Sequence, residues 1–534
     1  MYEINKLCVM LDCSRNAVMK PNKIKEFIDV VKSFGYDSIM LYLEDTFEVD
    51  GEPLFGYLRG GYSKNELKDI DAYAKSRGME LITCVQTLAH LNAIFRWQEY
   101  TEINDINDVL LVGSERTNTL IDRIFATVSE CFTCKTVNIG LDEAHMLGRG
   151  KYLDKFGFSD RFDLFIKHLN TVNELAKKHG LTPLLWSDTF FEKDADGVPY
   201  KNLNVPQVAK DNLPENVGLI CWDYYHTEKE YYDKVLSAHK VFNNQLWYAC
   251  SAYSSRGFAP CNGYSIKAIK SALESCRDNG VKNVIVTMWG GNGAECSFFS
   301  LLPSLFFAAE TLRGNGDIID IAKKFSKLTG EDFESMMALD LPNNVGGKDL
   351  NYGPSKYMLY NDLFSGIYDC TINPNDAALY FEYAEKLKTL GKSSKYQYLF
   401  DCLSALCEVL SEKYTLGLDT RKAYAEKNNE GIGKLIKRYE KVEKLIEKFY
   451  SVFKNQWFTD NKPQGFDVQD IRIGGLIQRI KSLRERLACY VDGKISEIPE
   501  LETQLLDFNN KTYEFSQKTV VLNDWRTNVT VNIL

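Results

Sequence analysis

The chain has 534 residues, 45% of them hydrophobic and 26% charged, which is the make-up of a folded protein with a large core rather than of a disordered or fibrous one. The formal net charge of −9 offers no electrostatic footprint for nucleic acid, and no apolar stretch reaches the length of a membrane span, so neither partner is expected. From residue 6 to residue 313, short apolar runs alternate with amphipathic segments. The strand-like runs are 7–11, 38–43, 80–85, 136–140, 183–186, 218–222, 246–249 and 284–288. Helical periodicity follows them, for example over 23–34, 64–77, 119–131, 162–179, 266–278 and 302–312. Eight βα units in succession predict parallel strands closed into a (β/α)₈ TIM barrel. An open doubly wound sheet would offer a glycine-rich first βα turn, and here that turn reads Asp12-Cys13-Ser14-Arg15-Asn16.

The pattern changes near residue 340. Residues 341–355 read as loop, with Pro342, Gly346, Gly347 and Pro354, and from Asp376 to Thr503 helical spacing and dense Lys and Glu predominate. A barrel over 1–340 followed by a mostly helical domain over 341–534 is expected. Segments 432–453 and 474–490 are the clearest helices, and 519–522 with 529–531 alternate like a short hairpin or tail strand.

Active residues of such barrels sit at the C-terminal ends of the strands. The most informative of these ends is Val137-Asn138-Ile139-Gly140-Leu141-Asp142-Glu143, an apolar run that stops at two adjacent carboxylates. Each acid raises the other's cost of ionising, so the pair implies one charged and one proton-donating role. The alternative is a helix N-cap with an acid in its first turn. Asp142-Glu143-Ala144-His145 also spells a helicase DEAH box, but no phosphate-cradling loop precedes it, and Gly391-Lys392-Ser393 downstream has Lys386 in place of the first glycine.

The other strand ends carry Asp12 and Arg15, Glu44-Asp45, Gln86 and His90, Trp186-Ser187-Asp188, Trp222-Asp223-Tyr224-Tyr225, Tyr253, and Trp289-Gly290-Gly291-Asn292 with Glu295 behind it. Singly, these have ordinary structural readings: a tryptophan capping the barrel, a hydrogen-bonded histidine, an arginine neutralising rim acids. Together, aromatic walls for a pyranose face and polar groups for its hydroxyls fit a sugar-cleaving site. Two-carboxylate glycosidases hold their acids about 5–9 Å apart, whereas neighbouring Cα atoms are about 3.8 Å apart. The adjacency therefore fits a reaction in which the substrate supplies its own nucleophile.

Across essentially its whole length the chain resembles glycoside hydrolase family 20, the β-N-acetylhexosaminidases, and most closely a cytosolic bacterial branch with a helical C-terminal domain. The matching stretches are Met10–Val18, Gln86–Leu91, Val137–Met146, Trp222–Tyr225 and Trp289–Glu295. The resemblance implies an exo-acting, retaining enzyme that removes terminal β-linked N-acetylglucosamine or N-acetylgalactosamine through an oxazolinium intermediate. Glu143 would be the general acid/base, and Asp142 would hold the acetamido N–H and stabilise the developing charge. Arg15 would grip O3 and O4, Trp186, Trp222 and Trp289 would wall the acetamido group and ring, and Glu295 or Asn292 would bind O4 or O6. His90 would support the acid pair, and Tyr253 or Tyr224 would hold the acetamido carbonyl. Many relatives carry a small α/β domain ahead of the barrel, and with the first strand beginning almost at Met1 no such domain is expected here. The competing readings are a retaining barrel glycosidase with Glu44 or Glu295 as a separate nucleophile, and a catalytically dead sugar-binding protein.

No metal or other cofactor is expected. Cys131 and Cys134 have C-x-x-C spacing without a second pair or a nearby histidine. With 14 scattered cysteines and no export signal ahead of Lys6, a cytoplasmic enzyme acting on small glycans is expected, with a homodimer covering apolar helical surface.

Overall fold

A computed structural model of the chain describes residues 3–191, 200–345, 352–506 and 524–534. Eight parallel strands close into a barrel: β1 (Lys6–Asp12), β2 (Ser38–Tyr42), β3 (Glu80–Cys84), β4 (Thr136–Asn138), β5 (Thr182–Trp186), β6 (Gly218–Trp222), β7 (Leu246–Ser251) and β8 (Asn283–Met288). Each strand pairs with its sequence neighbours, and β1 closes on β8 with Met10 beside Thr287. This is the predicted (β/α)₈ fold, followed by a mostly helical C-terminal region.

Two-residue alternation along each strand divides the core in two. In β1, Leu7, Val9 and Leu11 pack outward into the large cluster beneath the helices, while Cys8 and Met10 point into the barrel. Met40, Tyr42, Ile82, Cys84, Leu184, Trp186, Ile220 and Trp222 fill the same interior. All 14 cysteines are free thiols, most of them buried.

The barrel helices bear out the expected periodicity. Pro21–Phe34 starts on a proline in its first turn and stops at Gly35, whose φ of 97° suits a left-handed C-cap. Lys64–Ser76 begins with a capping box between Ser63 and Glu66. Strand β4 ends at Asn138, two residues before the predicted Gly140. The reason is local: Gly140 and Leu141 both have left-handed backbone, φ 73° and 68°, and the Asn138 side chain accepts the Gly140 N–H at 2.9 Å.

In the C-terminal region, Asn429–Asp460 and Phe466–Val491 form a long antiparallel pair that contains both predicted helices. The segment read as loop is partly helical: a 3₁₀ turn spans Ala338–Asn343 and an α-helix spans Pro354–Tyr360, with Pro354 in its first turn. Among the described residues, 529–531 do not form the predicted tail strand. Trp525–Val529 is a single helical turn capped by Asp524, and 519–522 lies outside the described residues. Among the described residues no helix is long and apolar enough to cross a membrane.

Candidate active site

At the C-terminal mouth of the barrel lies a cavity of about 200 Å³, whose lining includes Asp142, Glu143, Arg15, His90 and the three predicted tryptophans. Strand alternation explains how they meet. Inward parity at six strand ends brings Asp12, Tyr42, Trp186, Trp222, Ser251 and Trp289 to this space, and Asp142 reaches it beyond the left-handed turn at Gly140 and Leu141.

The two acids sit in different surroundings. The Asp142 side chain is 11% exposed and that of Glu143 is 38% exposed. Asp142 Oδ1 accepts from Gln86 Nε2 at 2.9 Å, and its Oδ2 lies 3.2 Å from His90 Nε2. Burial alone would raise the Asp142 pKa, but the His90 charge and the bonds from His90 and Gln86 outweigh it and hold the carboxyl below its ordinary range. Burial alone would likewise lower the His90 pKa, yet the facing Asp142 lifts it to about 9. The same imidazole Nε2 is 3.5 Å from Glu143 Oε2, and the His90 backbone N–H donates to Asp108 at 3.0 Å. No helix begins at the pair, so the N-cap reading fails.

The backbone around the pair is unusual. Leu141, Glu143, His90, Glu44 and Asn16 all have φ between 47° and 73°. Non-glycine residues rarely adopt this region, and such residues cluster where surrounding structure fixes a functional geometry. Gly140 is required for contact as well as for its φ of 73°: a Cβ there would stand 2.0 Å from Gln86 Oε1, the amide that holds Asp142.

On the opposite wall Trp222 stacks on Tyr224, with ring centroids 5.0 Å apart, and its indole N–H donates to Asp188 at 3.1 Å. Trp289 packs edge-on against Tyr42 at 4.8 Å and lies 6.0 Å from Trp186. Both Tyr224 and Tyr253 line the cavity, but the Tyr253 hydroxyl donates to the backbone carbonyl of Tyr224. Arg15 Nε lies 3.2 Å from Glu44 Oε1, and that carboxylate also accepts from the Tyr42 hydroxyl at 3.1 Å. Burial pushes the Glu44 pKa up, with the Arg15 charge opposing it.

Asn292 and Glu295 do not line this cavity. Glu295 is 2% exposed, and its Oε1 lies 2.8 Å from Lys356 Nζ and 3.2 Å from Arg472 Nη1, both from the helical region. Gly290–Gly293 turns the chain away from the strand direction, so alternation no longer predicts where Glu295 points. Asn292 Oδ1 accepts from Arg472 at 2.9 Å. The helical region holds this loop by its backbone too. Lys356 and Arg472 donate to the carbonyl of Asn292, Gln469 to that of Gly293, and Gln456 to that of Glu295, at 2.6 to 3.0 Å.

Sequence reasoning left Tyr42, Ser251, Ser255 and Arg256 out of the site and gave Tyr225 no role, although all of them line it. Inward parity would have found Tyr42 and Ser251. Arg256, whose guanidinium lies 5.7 Å from the Tyr253 ring centre, sits in a loop with no such signal. Among the described residues no group of three or more His, Cys, Asp or Glu is placed to hold a metal ion.

Residues 8–248 match the model of the glycosyl hydrolase family 20 catalytic domain, and residues 331–521 match the Glycoside Hydrolase 20C C-terminal domain. Hexosaminidase D of Homo sapiens is 22% identical over 339 residues, which is 59% of this chain and 67% of the human protein. Hexosaminidase D of Bos taurus is 22% identical over 210 residues, 38% of this chain and 58% of the bovine protein. A chitobiase structure from Flavobacterium johnsoniae aligns with a TM-score of 0.48 at 14% identity, over 85% of this chain and 78% of that one. Models of the family 20 catalytic domain and of the Glycoside Hydrolase 20C C-terminal domain thus match the barrel and the helical region in turn, and the chain is a glycoside hydrolase.

Proposed function

We propose that the protein is an exo-acting β-N-acetylhexosaminidase that uses its substrate's acetamido oxygen as the nucleophile. The observation that carries this reading is the unequal acid pair. A buried carboxylate that His90 and Gln86 keep ionised stands beside a half-exposed one at the cavity mouth. Asp142 holds the acetamido N–H and, as a fixed anion, stabilises the positive charge that grows on the acetamido carbon as its oxygen attacks the anomeric carbon. Glu143 gives its proton to the leaving oxygen, then takes one from the water that opens the oxazolinium ring, so the configuration is retained. Tyr224 or Tyr253 meets the acetamido carbonyl; both line the cavity, the Tyr253 hydroxyl donating to the backbone carbonyl of Tyr224 and the Tyr224 hydroxyl facing Trp289 and Thr287. Trp186, Trp222 and Trp289 wall the acetamido group and the ring, and Arg15 takes O3 and O4.

Neither candidate for a separate nucleophile supports the runner-up mechanism. Glu295 is buried against Lys356 and Arg472, and Glu44 is engaged by Arg15 and Tyr42. The relatives named hexosaminidase D agree with the proposed activity. The test is substrate choice. 4-Nitrophenyl N-acetyl-β-glucosaminide is cleaved and the β-glucoside is not, and replacing acetyl with trifluoroacetyl slows turnover steeply. A covalent adduct of a 2-fluoro sugar on Glu44 would overturn the mechanism.

A further inference from the structure

A second cavity, of about 420 Å³, adjoins the first and shares Arg15, His90 and Gly291 with it. Its chemistry is different. No Trp, Tyr or Phe lines it, whereas four guanidinium groups do: Arg15, Arg59, Arg96 and Arg472. The lining carboxylates are Glu44 and Asp108. Other acids lie behind the wall. Asp45 pairs with Arg59 at 3.3 Å and is 1% exposed, and Glu295 pairs with Arg472 and is 2% exposed. Arg59 also donates to the backbone carbonyl of Ser14, and Arg472 to Asn292, so both guanidinium groups are fixed at the cavity wall. Arg96 differs: it is exposed, at the end of the short turn Ile94–Arg96, and makes no ion pair among the described residues. His90, on the wall between the two cavities, adds positive charge because Asp142 keeps it protonated near neutrality.

A neutral pyranose in a second subsite would need an apolar wall, and this cavity has none. Several convergent guanidinium groups suit a compact anion with many acceptor oxygens. The cavity also opens on the Arg15 side of the catalytic pocket, away from the Trp222–Tyr224 wall. We propose that this cavity receives an anionic ester, sulfate or phosphate, carried on a hydroxyl of the terminal amino sugar whose ring occupies the catalytic pocket. The inference rests on the hexosaminidase reading and narrows its substrate class. Arg472 comes from the helical C-terminal region, so that region supplies a wall of the substrate site.

The test compares 4-nitrophenyl N-acetyl-β-glucosaminide with its O3, O4 and O6 sulfates and its O6 phosphate. At least one ester is expected to exceed the neutral glycoside in kcat/KM by roughly tenfold, the scale of a charge-assisted hydrogen bond. That advantage should shrink by a similar factor in Arg96→Ala, and as salt rises from about 20 mM to about 500 mM. A preference for sulfate or for phosphate identifies the source of the anion, and either supports the proposal. Slower cleavage of every ester than of the neutral glycoside overturns it and leaves the hexosaminidase reading intact. An equal effect of Arg96→Ala on charged and neutral substrates also overturns it. A second arm needs no turnover: calorimetry on the Glu143→Gln protein with free N-acetylglucosamine and its sulfate and phosphate esters. Tighter binding of an ester, together with no cleavage of any glycoside by the wild-type protein, would retain the anion site and sink the hexosaminidase reading. Equal or weaker binding of every ester would sink the anion site.

Discussion

Replacing His90 with glutamine tests whether a charge, rather than shape, keeps Asp142 ionised. Glutamine retains a donor toward Asp142 and removes the positive charge. The His90 pKa rises from 6.5 to about 9 on folding. At 1.36 kcal/mol per pKa unit, the pairing contributes at most about 3 kcal/mol, and some 1–3 kcal/mol once the retained hydrogen bond is allowed for. The lowered pKa of Asp142 reflects the same interaction and is not added to it. The sign follows from the direction of the shift. A group whose pKa is raised on folding stabilises fully below its unfolded value, near 6.5, and loses that contribution as pH climbs through about 9. Wild type should therefore melt higher than His90→Gln at pH 6, and the gap should narrow steadily and nearly close by about pH 10. Differential scanning calorimetry at several pH values measures this, with ligand absent so that binding does not add stability. The kcat/KM of wild type should also fall above about pH 9 on a limb that the variant lacks. A melting gap equal at pH 6 and pH 10 would refute the reasoning, because it would mean His90 acts only by packing.

Two further expectations concern the same strand end. Glu143→Gln should lower kcat by about 100-fold or more on a glycoside with a poor leaving group, and by less on a nitrophenyl one that needs little protonation. Equal losses on both would count against an acid role. Gly140→Ala should cost about 2 kcal/mol or more, because its backbone is left-handed and the new Cβ would displace the Gln86 amide; a melting temperature equal to wild type's, with full activity, would show that the loop relaxes freely.

Much of the fold was legible because barrel strands carry two signals at once, a β-branched run and a helix-period segment after it. The site was legible where alternation continued straight off a strand, as from Leu184 to Trp186 and from Ile220 to Trp222. It failed where the backbone turned. Glu295 follows a turn through Gly290, Gly291 and Gly293, and its partner Arg472 lies 177 residues further along the chain. No local pattern encodes such a pairing. The end of β4 was misjudged for a related reason, since Gly140-Leu141 adopts left-handed backbone inside an apolar run. At 529–531 three residues of alternation are too few to outweigh a capped helical turn that begins at Trp525.

The hold of the helical region on the Asn292–Glu295 loop bears on how the enzyme would lose activity. Four side chains, Lys356, Gln456, Gln469 and Arg472, grip three carbonyls just beyond Trp289, a wall of the cavity at the barrel mouth. Heat inactivation should then track loosening of the long helix pair, ahead of any melting of the barrel. A shortened protein that ends after the helix Leu302–Leu312 would keep every proposed acid and tryptophan, yet it would leave Trp289 on an unanchored loop. Engineering for heat tolerance would accordingly begin at the seam between barrel and helices rather than at the strands.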